Sequence, residues 1–154
     1  DGTTTLEDEI KYTQNYVAIQ RIRYPAKFDV IWQIENDALP CQVIKLLIQP
    51  LIENSIYHGI KEKEGKSRIK VKVQLLQADL RIRIIDNGLG VPRERLHSII
   101  ARLESDEAVD CKHIGLLNTN KRIKFAYGDS YGLTFQSKQG LGTMTTLLLP
   151  AQKG

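Results

Sequence analysis

Three short runs in this chain hold residue types that could do chemistry together. In Glu53-Asn54-Ser55-Ile56-Tyr57-His58-Gly59 a carboxamide and an imidazole stand near the end of an apolar stretch. An asparagine projecting from a helix can offer its amide oxygen to a hard cation such as magnesium, which takes oxygen ligands and phosphates. In Asp86-Asn87-Gly88-Leu89-Gly90 a carboxylate ends an alternating run and glycines follow it. A carboxylate so placed can accept a hydrogen bond from the exocyclic amine of a base, and the glycines allow close backbone approach and positive φ. Gly140-Leu141-Gly142-Thr143 repeats the glycine pair just before a second alternating run. Glycine-containing loops backed by helix N-terminal N–H groups suit a polyphosphate. Singly, each run has an ordinary explanation: a polar residue late in a helix is a cap, and DNG or GxG is a turn. Their conjunction in this order points to a nucleotide.

The elements that must position these runs follow from periodicity. Thr5 followed by Asp8 reads as a helix N-cap with an acidic first turn. Leu6, Ile10 and Val17, widened by Tyr12, Tyr16 and Ile19, predict a helix to Arg23, ended by Pro25. Phe28, Val30, Trp32 and Ile34 alternate as a strand. After a turn at Ala38-Leu39-Pro40, the segment from Cys41 to about Ile60 reads as helical, kinked or restarted at Pro50. Ile69, Val71, Val73 and Leu75, then Leu80, Ile82 and Ile84, predict an antiparallel hairpin with one apolar face and one basic face, Lys70, Lys72, Arg81 and Arg83. Helices are expected over Pro92 to Leu103 and Leu116 to Tyr127, with a polar loop from Ser105 to His113 between them. Leu133 to Ser137 and Thr143 to Leu149 complete the sheet. A sheet with one wet face needs one layer of helices, so the expected fold is an α/β (α+β) two-layer sandwich.

Composition narrows the class. The 154 residues are 42% apolar and 26% charged, the balance of an ordinary globular domain. No run approaches the roughly 20 apolar residues of a membrane-spanning helix; Lys45 interrupts the best candidate, Val43 to Ile52. Cys41 and Cys111 form no CxxC pair, so both are expected to be reduced thiols, with neither zinc nor a disulfide indicated. The excess of 22 basic over 18 acidic residues permits a phosphate-bearing partner without requiring nucleic acid. The basic hairpin face lacks aromatic stacking residues and reads as solvated. The opening on Asp1, without Met or a signal-peptide pattern, leads to the expectation that the chain is part of a longer protein.

The run Gln49-Pro50-Leu51-Ile52-Glu53-Asn54-Ser55-Ile56-Tyr57-His58-Gly59 resembles the N box of sensor histidine kinases, more narrowly those of the LytS/YesM type. Asp86 to Gly90 resembles their first glycine box. Ile114-Gly115-Leu116-Leu117-Asn118, with Lys121-Arg122-Ile123 and Tyr127-Gly128, resembles the second box and its trailing helix, and Gly140 to Thr143 the last. The resemblance covers essentially the whole chain. It implies a Bergerat (GHKL) ATP-binding fold with a mixed, mostly antiparallel sheet, residues 1–24 being the end of a dimerisation helix and 25–154 the catalytic domain. It implies ATP and Mg2+ as cofactors. Asn54 would coordinate the magnesium, Asp86 would take the adenine amine with Thr143 assisting, and Gly88 and Gly90 would shape the pocket. Gly115 would belong to the lid, Asn118 would lie near the phosphates, Gly142 would belong to the last box, and His58 and Lys61 would reach toward phosphate. The implied partners are the phosphoacceptor helix of the same full-length protein, a second copy in a homodimer and a response regulator, with no nucleic acid. The implied setting is the cytoplasmic side of a membrane-anchored protein.

Two departures stand out. His113 replaces a glycine usual two positions before Gly115, which narrows the backbone choices of the lid; it reads as a solvated lid side chain, with hydrogen bonding to phosphate as the alternative. The phosphoacceptor motif His-Phe-x-Phe-Asn is not in this chain, and His58, His97 and His113 each stand in another context. Relatives that hydrolyse ATP place a general-base Glu one turn before the Asn, where this chain has Pro50. Glu53 is left either to polarise an incoming imidazole or to accept a structural hydrogen bond. The implied chemistry is therefore transfer of the γ-phosphoryl of ATP to a histidine. The rival readings are an anti-sigma-factor serine kinase of the same fold, a degenerate ATP site kept for docking, and a nucleic-acid-binding hairpin.

Overall fold

The computed structural model describes residues 2–105 and 114–153. The chain opens with a short strand, β1 (Thr3–Thr5), and turns directly into helix α1 (Leu6–Arg23). The Thr5 hydroxyl accepts the Asp8 N–H at 3.2 Å, the expected N-cap. Leu6, Ile10, Thr13, Val17 and Gln20 form the buried stripe. Tyr12 and Ile19, expected to widen that stripe, are instead 55% and 62% exposed, and Ile22 is 81% exposed. One face of an 18-residue helix suffices to cover the domain here, so the second apolar row stays outside.

The largest departure from the sequence reading lies between Cys41 and Ile60. Helix was expected throughout, kinked or restarted at Pro50. A helix does restart there, with Pro50 in its first turn, but the part before it is strand β3 (Gln42–Ile44), and helix α2 (Gln49–Ser55) passes into a π-helical turn (Ile56–Ile60). Strand β3 pairs antiparallel with β1, Thr3 opposite Ile44 and Thr5 opposite Gln42. The start of α2 is set by a residue from far upstream. The Glu9 carboxylate, only 3% exposed, accepts the N–H groups of Leu46, Leu47 and Ile48 at 3.1, 2.6 and 3.3 Å. These bonds satisfy three backbone donors of the turn that leads into α2, the last of them on its N-cap residue Ile48. Pro50 then sits in the first turn, where its missing N–H costs nothing.

The main sheet has five strands in the order β2 (Phe28–Ile34), β4 (Ser67–Leu76), β5 (Asp79–Asp86), β7 (Gly142–Pro150), β6 (Gly132–Lys138). Strands β2 and β4 run parallel and the other neighbours antiparallel. Alternation sends Ile69, Val71 and Val73 from β4, Leu80, Ile82 and Ile84 from β5, and Leu147 and Leu149 from β7 to one face, all buried. Against that face lie Leu51, Ile52 and Ile56, with Ile99 of α3 (Arg93–Leu103) and Leu116 and Ile123 of α4 (Ile114–Tyr127). The result is the expected two-layer α/β sandwich with a mixed, mostly antiparallel sheet. Helix α4 stops before Gly128, whose φ of +99° suits a helix C-terminus. Cys41 is a buried free thiol. Cys111, His113 and nearly all of the loop expected from Ser105 to His113 lie outside the described residues.

Candidate functional site

The alternation that buries Leu80, Ile82 and Ile84 also dictates where Asp86 goes. As the next residue of that register it faces the helices at the very end of β5, only 5% exposed. Its carboxylate is met by hydrogen-bond donors: the Gly88 N–H at 2.9 Å, the Thr143 backbone and the Ser55 side chain. Burial nevertheless dominates and raises its pKa above the ordinary carboxylate value, against the opposing effects of those bonds and the Lys63 charge.

Helix α2 and its π-turn supply the opposite wall. Asn54 and His58, and likewise Ser55 and Gly59, stand four residues apart and so share one side of the helical stretch. Gly59 lies directly against Asp86, where a β-carbon would come within 3.3 Å of Oδ1. Gly88 touches the backbone of Gly59 so closely that a β-carbon would meet its carbonyl oxygen at 2.3 Å. The Leu89 N–H donates to that same oxygen at 2.6 Å. The helix end is thereby fastened to the loop after β5 by contacts that exclude any side chain.

A third wall comes from the turn between β6 and β7. The Val91 N–H donates to Ser137 Oγ at 2.8 Å, and Ser137 Oγ lies 3.1 Å from the Gly142 carbonyl and 2.8 Å from Thr143 Oγ1. Gly142, at φ +135°, places its Cα so that a β-carbon would fall 2.0 Å from the Asp86 carbonyl oxygen. Gly90, at φ +73°, is held equally tightly against the Lys138 carbonyl.

Between these walls lies a small cleft of about 10 Å³, lined by Asn54, His58, Asp86 and Thr143 together with Ser55, Gly59, Val91 and Phe135. That is room for about one water molecule, well below the roughly 300–1,000 Å³ of sites that enclose a drug-sized ligand, so a bound ring would have to widen the cleft. Among the described residues no group of three or more His, Cys, Asp or Glu is placed to hold a metal ion. Asn54 supplies one carboxamide oxygen, which fits a magnesium ion that draws its remaining ligands from phosphates and water.

The structure thus brings Asn54, His58, Asp86 and Thr143 to one cavity, with Gly88 and Gly142 immediately behind it. The remaining expected residues stand elsewhere. Glu53 is exposed, and its charge acts on the Tyr16 hydroxyl of α1, whose pKa is raised above its ordinary value chiefly by burial and then by Glu53. Gly115 rests on Pro50, with a β-carbon position 3.6 Å from that ring, and Asn118 is exposed on α4; neither lines the cleft. Lys61 lies over the Tyr57 ring, 5.7 Å from its centre. Gly90 shapes the loop and not the cavity surface. Ser55 and Ser137 were not singled out by the sequence. Ser137 has a signal in hindsight: like Asp86 it is the polar residue that ends an inward apolar register, Leu133-Phe135-Ser137.

Comparisons with known proteins place the family and the fold. Residues 42–153 match the family model described as histidine kinase-, DNA gyrase B- and HSP90-like ATPase. A sensor protein kinase, HptS of Staphylococcus aureus, is 32% identical over 152 residues, covering 99% of this chain and 29% of that protein. The catalytic domain of histidine kinase ThkA superposes with a TM-score of 0.70 at 16% identity, covering 97% of this chain and 95% of that one. The same kinase in complex with the response regulator protein TrrA gives a TM-score of 0.65 at 16% identity, covering 97% of this chain and 41% of that one.

Proposed function

Because the chain belongs to the histidine kinase-, DNA gyrase B- and HSP90-like ATPase family, we propose that it is the ATP-binding catalytic domain of a sensor histidine kinase, in which Asp86 grips adenine and Asn54 holds magnesium. The chain spans 29% of the length of the first curated relatives it matches. The observation that carries the reading is the buried carboxylate of Asp86 facing the same cleft as Asn54.

In this reading Asp86 accepts the exocyclic amine of adenine, and the Ser137–Thr143 hydroxyl pair completes the polar edge of the base site. Gly59, Gly88 and Gly142 let the segments that carry Asp86 pack backbone to backbone behind the base site. Asn54 lends its oxygen to magnesium, which neutralises the charge on the phosphates. His58, one turn further along, faces the phosphate side, and Gly115 and Asn118 belong to the cover over the phosphates. The domain's work is positioning and charge neutralisation, as in phosphoryl transfer generally. Pro50, one turn before Asn54, offers no base to activate water, which favours transfer over hydrolysis. Glu53, exposed on α2, would either polarise an incoming imidazole or serve a structural contact with α1, where its charge acts on Tyr16.

The acceptor would be a histidine on a dimerisation helix of the same full-length protein, acting as a homodimer. Residues 1–24 would be the end of that helical region and 25–154 the catalytic domain. A response regulator is the proposed downstream partner, in keeping with the ThkA–TrrA complex. Among the described residues no helix is long and apolar enough to cross a membrane; the proposed setting is the cytoplasmic side of a membrane-anchored kinase. The test is incubation of the full-length protein with Mg2+ and γ-labelled ATP. The reading predicts label that is stable to alkali and lost in acid, as a phosphohistidine is. Acid-stable label would mark the serine-kinase alternative, and release of free phosphate alone would contradict transfer.

A further inference from the structure

The outer face of the sheet carries a cluster that nucleotide binding does not use. Even positions of β4 and odd positions of β5 point away from the helices, which puts Lys70, Lys72, Arg81 and Arg83 side by side. Lys72 stands directly opposite Arg83, and Gln74 opposite Arg81. Like charges directly opposed across an antiparallel pair destabilise it. The two guanidinium groups converge on one neutral acceptor, Gln74 Oε1, at 2.6 Å from Arg81 and 2.8 Å from Arg83. Nε of each arginine is buried with no hydrogen-bond partner. None of the four cations forms an ion pair among the described residues; Asp29, on the neighbouring strand, is taken by Arg21 at 3.0 Å and Lys66 at 2.9 Å. The net charge of the whole chain is +4, and four of its cations stand together at the centre of this one face.

We propose that this face is a docking surface for an acidic protein partner, whose carboxylates pair with Lys70, Lys72, Arg81 and Arg83. A partner carboxylate would meet the two ammonium groups and the guanidinium N–H groups not on Gln74 with charge-assisted bonds, which the neutral amide oxygen does not supply. The cluster's neighbours are aliphatic: Ile85 and Ile31 flank Lys70, Met144 pairs with Ile85, and Leu148 pairs with Arg81. That is the mixture of a protein interface, with apolar contacts beside charges that fix register. Single-stranded nucleic acid would call for aromatic platforms, which these neighbours do not supply. A lipid surface would call for cations reaching outward, whereas the guanidinium groups lie along the sheet on Gln74.

The probe is a short fluorescent oligo-glutamate at low ionic strength, followed by anisotropy, with a DNA duplex and anionic phospholipid vesicles in parallel. Lys70→Glu and Lys72→Glu should each weaken oligo-glutamate binding by about tenfold or more, while Lys11→Glu on exposed α1 should leave it nearly unchanged. Lys72→Glu should also raise the melting temperature, because it turns a cross-strand repulsion into an attraction, and ATP affinity should be unaffected. The proposal is overturned by absence of oligo-glutamate binding, by equal weakening in Lys11→Glu, or by tighter binding of the duplex or the vesicles. None of these outcomes bears on the nucleotide site, which lies on the other face of the sheet.

Discussion

Asp86→Asn is expected to weaken ATP binding by about 10- to 100-fold in a calorimetric titration, with the fold intact. A hydrogen bond to a charged group contributes about 1.5–3 kcal/mol, and each 1.4 kcal/mol is about a factor of ten. The amide can still accept from the Gly88 N–H, so the loop after β5 keeps its anchor. The same carboxylate gives wild-type binding a pH dependence. Its folded pKa is raised above 3.8, mainly by burial. As pH falls through that raised value the folded state takes up a proton and the acceptor for the adenine amine loses its charge, so ATP affinity drops. Stability moves the other way: the cost of burying the charge is fully present above the folded pKa and is relieved as pH falls through it. Asp86→Asn should show neither dependence. Unchanged ATP affinity in this variant would remove Asp86 from the base site.

Gly142→Ala should be the most damaging single substitution behind the cleft. The new methyl would fall 2.0 Å from the Asp86 carbonyl oxygen, at a φ of +135° that side-chain-bearing residues avoid. Backbone strain of this kind costs about 1–3 kcal/mol, and overpacking against an immobile neighbour about 1–3 kcal/mol more. Together, about 2–6 kcal/mol is a large part of the roughly 5–15 kcal/mol that holds a domain folded. Thermal melting should show a drop of about 5–20 °C at a typical 2–4 °C per kcal/mol. Gly140→Ala is the matched control: its φ is +85°, but nothing lies within 4 Å of the added carbon. It should show the strain component alone. Equal melting temperatures for the two variants would mean that the close approach of β7 to Asp86 is not a constraint.

What the sequence revealed depended on how local the cause was. The Thr5 cap, the stop at Pro25 and the hairpin of β4 and β5 are set by neighbours a few residues away, and all were legible. Asp86 was legible too, because a period of two carries the register of Leu80, Ile82 and Ile84 onto it. The segment from Cys41 to Ile48 was misread because its structure is set from a distance. Its strand partner is Thr3–Thr5, a triplet with no apolar alternation, and its N–H groups are taken up by Glu9. An apolar run holds no record of such a partner, and helical periodicity is the reading that remains. Tyr12 and Ile19 misled in the opposite way, since an apolar side chain on a helix does not say whether anything covers it. Glu53 and Asn54 show the limit for the site: adjacent in sequence, they face different elements, Glu53 toward Tyr16 and Asn54 toward Asp86. Ser137 could be recognised only once β6 and β7 had brought it to Thr143.

The central claim is best tested by a crystal structure of the chain with Mg2+ and a non-hydrolysable ATP analogue. The account predicts the adenine amino group within hydrogen-bonding distance of the Asp86 carboxylate, and the metal bound through Asn54 and phosphate oxygens. An analogue seated away from the cleft between Asp86 and Asn54, or a metal held without Asn54, would contradict it.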